Sequence, residues 1–448
     1  MQQSHNQLSQ DFTIPTLLKF TAPTAVMLVF MSLYQMVHGG FVSRFVGENA
    51  LSALNIVYPV PSVIIAFSIM LATGSSAIIA KNMGEGDMQT ARENFSLAIA
   101  VGLVLGLCFL VLGTVFLEPL LGLLGATPAL YSYCYDYLLI LMLSAPLSVF
   151  QMLFQNFFVT AGKPHLGLGI TIIGGVANIV LDYLFIKVYQ MGVSGAALAT
   201  AIGYAIPAIY GLFYFTFNRR GTLFLVKTVF RKQVLVHSCV NGSSEMVNNL
   251  AVAITTFLFN TLMLKYAGET GVAAITIVLY AQFLMTAVFM GFSSGIAPVV
   301  SFNYGSQNAA QLQKVFRNSM YVVVVISLLV FFLAEFCSDP VIQIFVKPDS
   351  EVFQITKHGF GIFSVHFLFA GVNIFASALF TAFSNGKVSA ILSFLRTFVF
   401  LVICLLVLPL FWSIDGIWLA VPAAEILAFC VSVFYLVRLR KVYQYSAR

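Results

Sequence analysis

Long apolar runs separated by short polar breaks dominate the chain, and the runs do not alternate residue by residue between apolar and polar. Twelve of them are long enough to cross a bilayer as helices, which takes about 20 residues. They cover 15–40, 51–79, 94–117, 133–160, 167–187, 193–217, 236–262, 271–300, 317–336, 355–383, 388–411 and 417–438. A membrane β-barrel would need short alternating segments instead. The pattern predicts an all-α polytopic membrane protein.

One polar break is longer than the rest. It spans 218–235, contains "NRRGTLFLVKTVFRKQ", and lies close to the middle of the chain. Read as a linker, it separates 1–217 from 236–448, and each side holds six of the runs. The two sides echo each other. "FVGENALSALNIVYP" (45–59) aligns with "YAGETGVAAITIVLY" (266–280), and "GSSAIIAKNMGEGD" (74–87) aligns with "GIAPVVSFNYGSQN" (295–308) at the same offset. Gly47 then matches Gly268, Asn82 matches Asn303, and Gly84 matches Gly305. Later, "TAGKP" (160–164) echoes "SNGKV" (384–388), and Gly192 echoes Gly416. An even number of spans per half gives both halves one orientation. Parallel repeats of this kind build alternating-access transporters, with the substrate site between the halves. Two pseudo-symmetric six-helix lobes around a central cleft are therefore expected.

Composition removes the soluble alternative. The 448 residues are 60% hydrophobic and 8% charged, whereas soluble proteins carry roughly 25% charged residues. The first lysine is Lys19, and no positive charge precedes the first apolar run, so a cleaved signal peptide is not expected. Six scattered cysteines, mostly inside apolar runs, read as small core residues.

Charge orients the chain. With the N-terminus in the cytoplasm, the inward loops and the tail hold Lys81, Arg92, Lys163, the basic residues of the 218–235 linker, Lys314, Arg317, Lys387, Arg438, Arg440 and Lys441. The other side holds only Arg44, Lys187, Lys265, Lys347 and Lys357. The positive-inside rule then places both termini in the cytoplasm of a multi-pass plasma-membrane protein. The net charge of +6 follows from this bias and requires no nucleic-acid partner.

Several motifs together resemble the multidrug and toxic compound extrusion (MATE) family of secondary transporters. They are "TAPTAVMLVFMSLYQMV" in the first span, "NMGEGD" and "NYGSQN" after the second and eighth, and "NFFVTAGKPHLGL" after the fourth. The most specific is "GGVANIVLDYLFI" followed by "MGVSGAALATAI". The resemblance implies export of drug-like organic compounds, often cationic, against an inward H⁺ or Na⁺ gradient. It implies no cofactor beyond that ion, and a monomer among membrane lipids. It also implies that Asn178 and Asp182, with Thr200 eighteen residues further on, bind the coupling cation in the N-terminal lobe.

Ionisable residues inside spans are costly and point to function; here they are His38, Asp182, Glu245, His366, Arg396 and Glu425. Asn178 and Asp182 are four apart and share a helix face. Carboxylate, amide and hydroxyl oxygens suit Na⁺, and a buried carboxylate equally suits a proton carrier, so the residue types leave the ion open. Asn156 is a further polar neighbour, or else an interhelical hydrogen bond. Glu245 in "VNGSSEMVNNL" is a C-lobe acid that meets substrate or protons, or a hydrated residue of the inner mouth. Arg396 and Glu425 form a neutralised structural pair, because two unpaired buried charges cost more than a bridge. His366 reads as an interior histidine. Pro23 removes a backbone hydrogen bond and predicts a bend in the first span. Met31, Tyr34, Gln35, Gln282 and Met285 are cleft candidates, since aromatic faces attract organic cations and methionines adapt to varied shapes.

His38 stands where the resembling family typically carries an aspartate. An imidazole beside Asp182 is a poorer Na⁺ ligand than a second carboxylate, and its protonated form can itself occupy the cation's place. A His38–Asp182 proton site is one reading; a purely local hydrogen bond of His38 is the other. A lipid-linked saccharide flippase of the same superfamily is the alternative function, though it would want a strongly basic cavity. Neither a metal or nucleophile arrangement nor an ATP-binding loop is legible, so an enzyme is not expected.

Overall fold

The computed structural model describes residues 7–343 and 345–445. We number the membrane helices α1 (Ile14–Phe45), α2 (Pro59–Gly84), α3 (Met88–Val115), α4 (Tyr131–Leu143 with Ala145–Thr160), α5 (Pro164–Val188) and α6 (Gly192–Phe217). The second half gives α7 (232–267), α8 (269–305), α9 (Ala309–Phe336), α10 (Glu351–Ser364 with Phe367–Ala382), α11 (Gly386–Val407) and α12 (Pro409–Tyr443). Among the described residues, these are twelve helical spans.

Some boundaries differ from the apolar runs for local reasons. The run 51–79 begins on a separate ten-residue helix, Glu48–Val57, and the span itself starts at Pro59. Proline suits a first helical turn because its missing N–H is unpaired there anyway. Spans α4 and α10 are bent pairs, turned by 55° and 51°. Between Lys232 and Gly305 two helices meet at a kink at Gly268, where φ is 63° and ψ −158°. Only glycine adopts that conformation cheaply. The linker is also shorter than 218–235, because α7 already starts at Lys232.

The repeat is visible in the backbone. Gly47 and Gly268 both have positive φ, and Asp87 and Asn308 each cap the following helix by accepting from the N–H three residues on. One register is corrected. Thr160 and Ala382 end the equivalent helices and Pro164 and Gly386 start the next ones, so Ser384 (φ 58°), not Gly386, stands where Gly162 (φ 75°) does. Likewise the positive φ of Gly192 recurs at Ser413 and not at Gly416. Matching identical glycines misses this, because single serines tolerate the left-handed region too.

The two lobes join at one end. The larger apolar core runs through the N-terminal lobe and continues into Phe292, Val299, Val315 and Phe375, all in the halves of α8, α9 and α10 nearest the chain termini. A second core, with Phe259, Val330, Phe363 and Trp418, fills the far half of the C-terminal lobe alone. The seam is backbone against backbone. A Cβ on Gly74 would run into Ser238, one on Gly242 into Met70, and one on Gly305 into Lys81. The lobes are thus closed against each other at the end bearing the termini.

Candidate functional site

Asp182 is the last α-helical residue of α5 before a π-helical turn, Tyr183–Val188. Such turns occur often at functional sites. From α1, His38 reaches across the N-terminal lobe and places Nδ1 2.8 Å from Asp182 Oδ2. The Asp182 side chain is 0% exposed and that of His38 13%. One turn earlier on α5, Asn178 directs Nδ2 to Thr200 Oγ1 on α6 at 3.5 Å, while the Thr200 hydroxyl donates to the Ala196 carbonyl at 3.0 Å. His38, Asp182, Asn178 and Thr200 therefore form one polar cluster drawn from three helices.

Three of its buried atoms have no hydrogen-bond partner among the described residues: Asp182 Oδ1, Asn178 Oδ1 and His38 Nε2. Unpaired buried polar atoms cost free energy, so a native protein keeps them for a reason. Two acceptor oxygens beside a threonine hydroxyl can serve a small cation. The imidazole–carboxylate contact can share a proton. A cavity of about 10 Å³, room for about one water, adjoins the cluster, lined by Tyr34, Gln151, Thr171, Asn178, Thr200 and Tyr204 among others.

Small residues let the helices approach. A Cβ on Gly175 of α5 would lie 2.5 Å from the Phe30 ring and 3.3 Å from Tyr34 on α1. Gln155 of α4 ties this face together, donating to Thr171 Oγ1 on α5 (3.1 Å) and to Met31 Sδ on α1 (3.6 Å). The Tyr137 hydroxyl on α4 sits beside Thr200 and within electrostatic reach of Asp182. Sequence reasoning missed Tyr137, Gln151, Gln155 and Tyr204. Gln151 and Gln155 were findable as two polar residues one turn apart in an apolar run. Nothing singles out Tyr137 or Tyr204 among 18 tyrosines.

Other candidates fall elsewhere. Asn156 turns its amide to the Met152 carbonyl of its own helix (3.0 Å) and makes no hydrogen bond to the cluster. Met31 meets Gln155, and Tyr34 is buried at the cavity wall. Met285 is buried in the apolar core of the C-terminal lobe with Phe259 and Phe289. Gln282 is half-buried, and the Gln35 side chain lies outside the described residues. Pro23 is buried inside α1, which is helical from Ile14 to Phe45.

The C-terminal lobe has its own polar centre. Arg396, on a π-helical turn of α11, donates from Nε to Glu425 Oε1 on α12 at 2.8 Å. Asn373 of α10 donates to Glu425 Oε2 at 2.6 Å and to the Glu425 carbonyl at 2.9 Å. Glu245 on α7 lies within electrostatic reach of Arg396, with Asn248 beside it. His366, at the bend of α10, pairs Nδ1 with the Phe363 carbonyl (2.6 Å) and packs its ring on Phe367.

With that geometry in place, comparison with known proteins is decisive about the family. The MatE sequence profile matches residues 23–184 and again residues 246–406. The chain belongs to the MatE family. This MatE transporter is 22% identical over 415 residues to the multidrug export protein MepA of Staphylococcus haemolyticus, covering 92% of this chain and 91% of that protein. A MATE crystal structure in the straight conformation superposes with a TM-score of 0.92 at 21% identity, covering 98% of both chains. A MATE structure in the bent conformation gives 0.86 at 21% identity, again over 98% of both. The two-lobe, twelve-helix architecture is thus that of MATE transporters.

Proposed function

We propose that this MatE transporter exports organic, often cationic, compounds by alternating access, driven by protons entering through the His38–Asp182 pair. The observation that carries the reading is the 2.8 Å contact between a fully buried carboxylate and a nearly buried imidazole. Imidazole is the side chain whose charge changes near physiological pH. When protonated, it supplies beside Asp182 the positive charge a bound metal cation would otherwise bring. Asn178, Thr200 and Tyr137 line the other side of the cluster without a hydrogen bond to the carboxylate, whose Oδ1 is left open. The name of the MepA relative supports drug-like compounds as cargo. The excess of Lys and Arg in the loops on the termini's side supports a plasma-membrane protein with both termini in the cytoplasm. In that orientation the closed end of the molecule faces the cytoplasm.

Everted vesicles carrying the protein, given separate H⁺ and Na⁺ gradients and a fluorescent organic cation, test this. Proton-driven dye movement without a Na⁺ requirement is expected. His38→Ala should lower the proton-driven rate by a factor on the order of ten, equivalent to about 1.4 kcal/mol, and His38→Asp should confer a Na⁺ response. If neither gradient moves dye, secondary transport is wrong. If both variants behave like the parent, the proton site is wrong and only the transporter reading stands.

A further inference from the structure

The first turn of α7 and the first turn of α11 meet at the end of the molecule that carries the termini, and a cavity of about 470 Å³ opens between them. Lys232 and Lys387 stand at its rim, and neither has an ion-pair partner among the described residues. His237 adds a third basic group, with Nε2 3.4 Å from the Ser384 carbonyl. The Ser384 hydroxyl oxygen is buried and has no partner either. Two helix N-termini converge here; Asn385 caps the Val388 N–H, and the remaining first-turn N–H groups favour negative charge. Besides Gln233 and Asn385, the wall has an apolar stretch: Val236 is 52% exposed and Val240 41%. Both valines lie on α7 within the first three turns from Lys232, on the side leading into the membrane. The cavity therefore offers cations and helix ends at the membrane surface and a greasy groove below them.

We propose that this cavity binds an anionic phospholipid, with the headgroup phosphate held by Lys232, Lys387 and His237 and an acyl chain along Val236 and Val240. Basic pockets between membrane helices select such headgroups, and each Lys near an anionic surface contributes about 1 kcal/mol. The position gives the lipid a mechanical consequence. One turn along α7 from His237, Asn241 donates to the Thr381 carbonyl at 2.9 Å and to the Gly74 carbonyl of the other lobe at 3.5 Å. The lipid sits directly on the seam that closes this end.

Native mass spectrometry of the purified full chain, delipidated and then offered phosphatidylglycerol or phosphatidylcholine, tests the site without any transport measurement. The expected result is selective retention of phosphatidylglycerol, with the ratio falling roughly 25-fold in Lys232→Gln/Lys387→Gln, which is about 2 kcal/mol at 1.4 kcal/mol per tenfold. A thermal melt should show the matching loss of stabilisation by phosphatidylglycerol in that variant. Lys227→Gln/Lys441→Gln, which removes two exposed cations outside the cavity, should retain the lipid as the parent does. Equal retention in the cavity variant overturns the proposal. So does an equal loss in the control variant, which would mean diffuse attraction. Displacement by millimolar inorganic phosphate also overturns it, because the site would then take a free anion. Since retention is read by mass, failure of drug export would leave this result untouched.

Discussion

The buried pair in the C-terminal lobe makes a prediction that can be worked quantitatively. The Arg396 side chain is 15% exposed and that of Glu425 6%, so both charges are largely out of water. Replacing Glu425 by Leu leaves the guanidinium without its 2.8 Å partner and one Asn373 N–H without the 2.6 Å one. Breaking such a pair from one side costs about 3–5 kcal/mol. Arg396→Met should cost less than Glu425→Leu, because Glu425 would keep Asn373 as a donor. Replacing both residues by apolar ones removes the charges together, and that exchange is commonly neutral or stabilising by about 1–4 kcal/mol. The double variant should therefore be more stable than Glu425→Leu alone. The chain supplies the reporter, because its two tryptophans, Trp412 and Trp418, both lie on α12 with Glu425, and Trp418 is fully buried. Equilibrium unfolding in mixed micelles, followed by tryptophan fluorescence, gives the four corners of the cycle. If the double variant loses the sum of the single losses, the two side chains do not interact and the argument from burial fails.

Two further outcomes follow from contacts outside the charged sites. A methyl group on Gly242 has nowhere to go but into the Met70 backbone of the other lobe, so Gly242→Ala should force the seam apart at a cost of about 1–3 kcal/mol. A cysteine placed at the buried Ser238 should then label faster, whereas Gly169→Ala, with open space around it, should leave labelling unchanged. Before α1 begins, Asp11 is bound through both carboxylate oxygens by Lys314 of α9, at 2.6 and 2.7 Å, and that hydrogen bond holds the Asp11 carboxyl below its ordinary 3.8. A depressed carboxylate contributes stability above its unfolded value and loses it as pH falls through the folded one. Amide exchange in residues 7–13 should consequently rise below about pH 4, and Asp11→Asn should remove that step by raising neutral-pH exchange toward the parent's acid level; an identical acid step in Asp11→Asn would refute the tether.

The topology was legible because lipid imposes it. A bilayer demands about 20 apolar residues per span, and the twelve runs locate twelve helices. What the runs could not show is where backbone bends inside apolar sequence. The angles at Ser144 and His366 in α4 and α10 lie within stretches as hydrophobic as their flanks, and the break before Pro59 is masked by the apolar helix Glu48–Val57. The cluster was half legible for a related reason. Charged and amide groups in an apolar run stand out, which is how His38, Asn178, Asp182, Arg396 and Glu425 were found. Tyr137 and Met285 do not, since tyrosine and methionine are ordinary in such sequence and only tertiary packing places one beside Thr200 and the other in a core.

The repeat that builds the fold does not repeat the site. The hydrogen bond from Gln155 on α4 to Thr171 on α5 has its counterpart in Ser377 on α10 and Ser393 on α11, at the register set by the matched helix ends. In that register, Asp182 corresponds to Cys404 and Asn178 to Phe400, so α11 offers no carboxylate or amide where α5 does. Its charge, Arg396, stands level with Gly174, and a guanidinium keeps its proton at any physiological pH. One lobe thus holds a pair whose charge can change and the other a pair whose charge is fixed. If protons drive the cycle through His38 and Asp182, they act on α1 and α5, and the movement must reach the C-terminal lobe mechanically. The place for that transfer is the seam, where α1 packs on Gly291 of α8 and α2 on Gly242 of α7, backbone against backbone, with no side chains between them to absorb a shift.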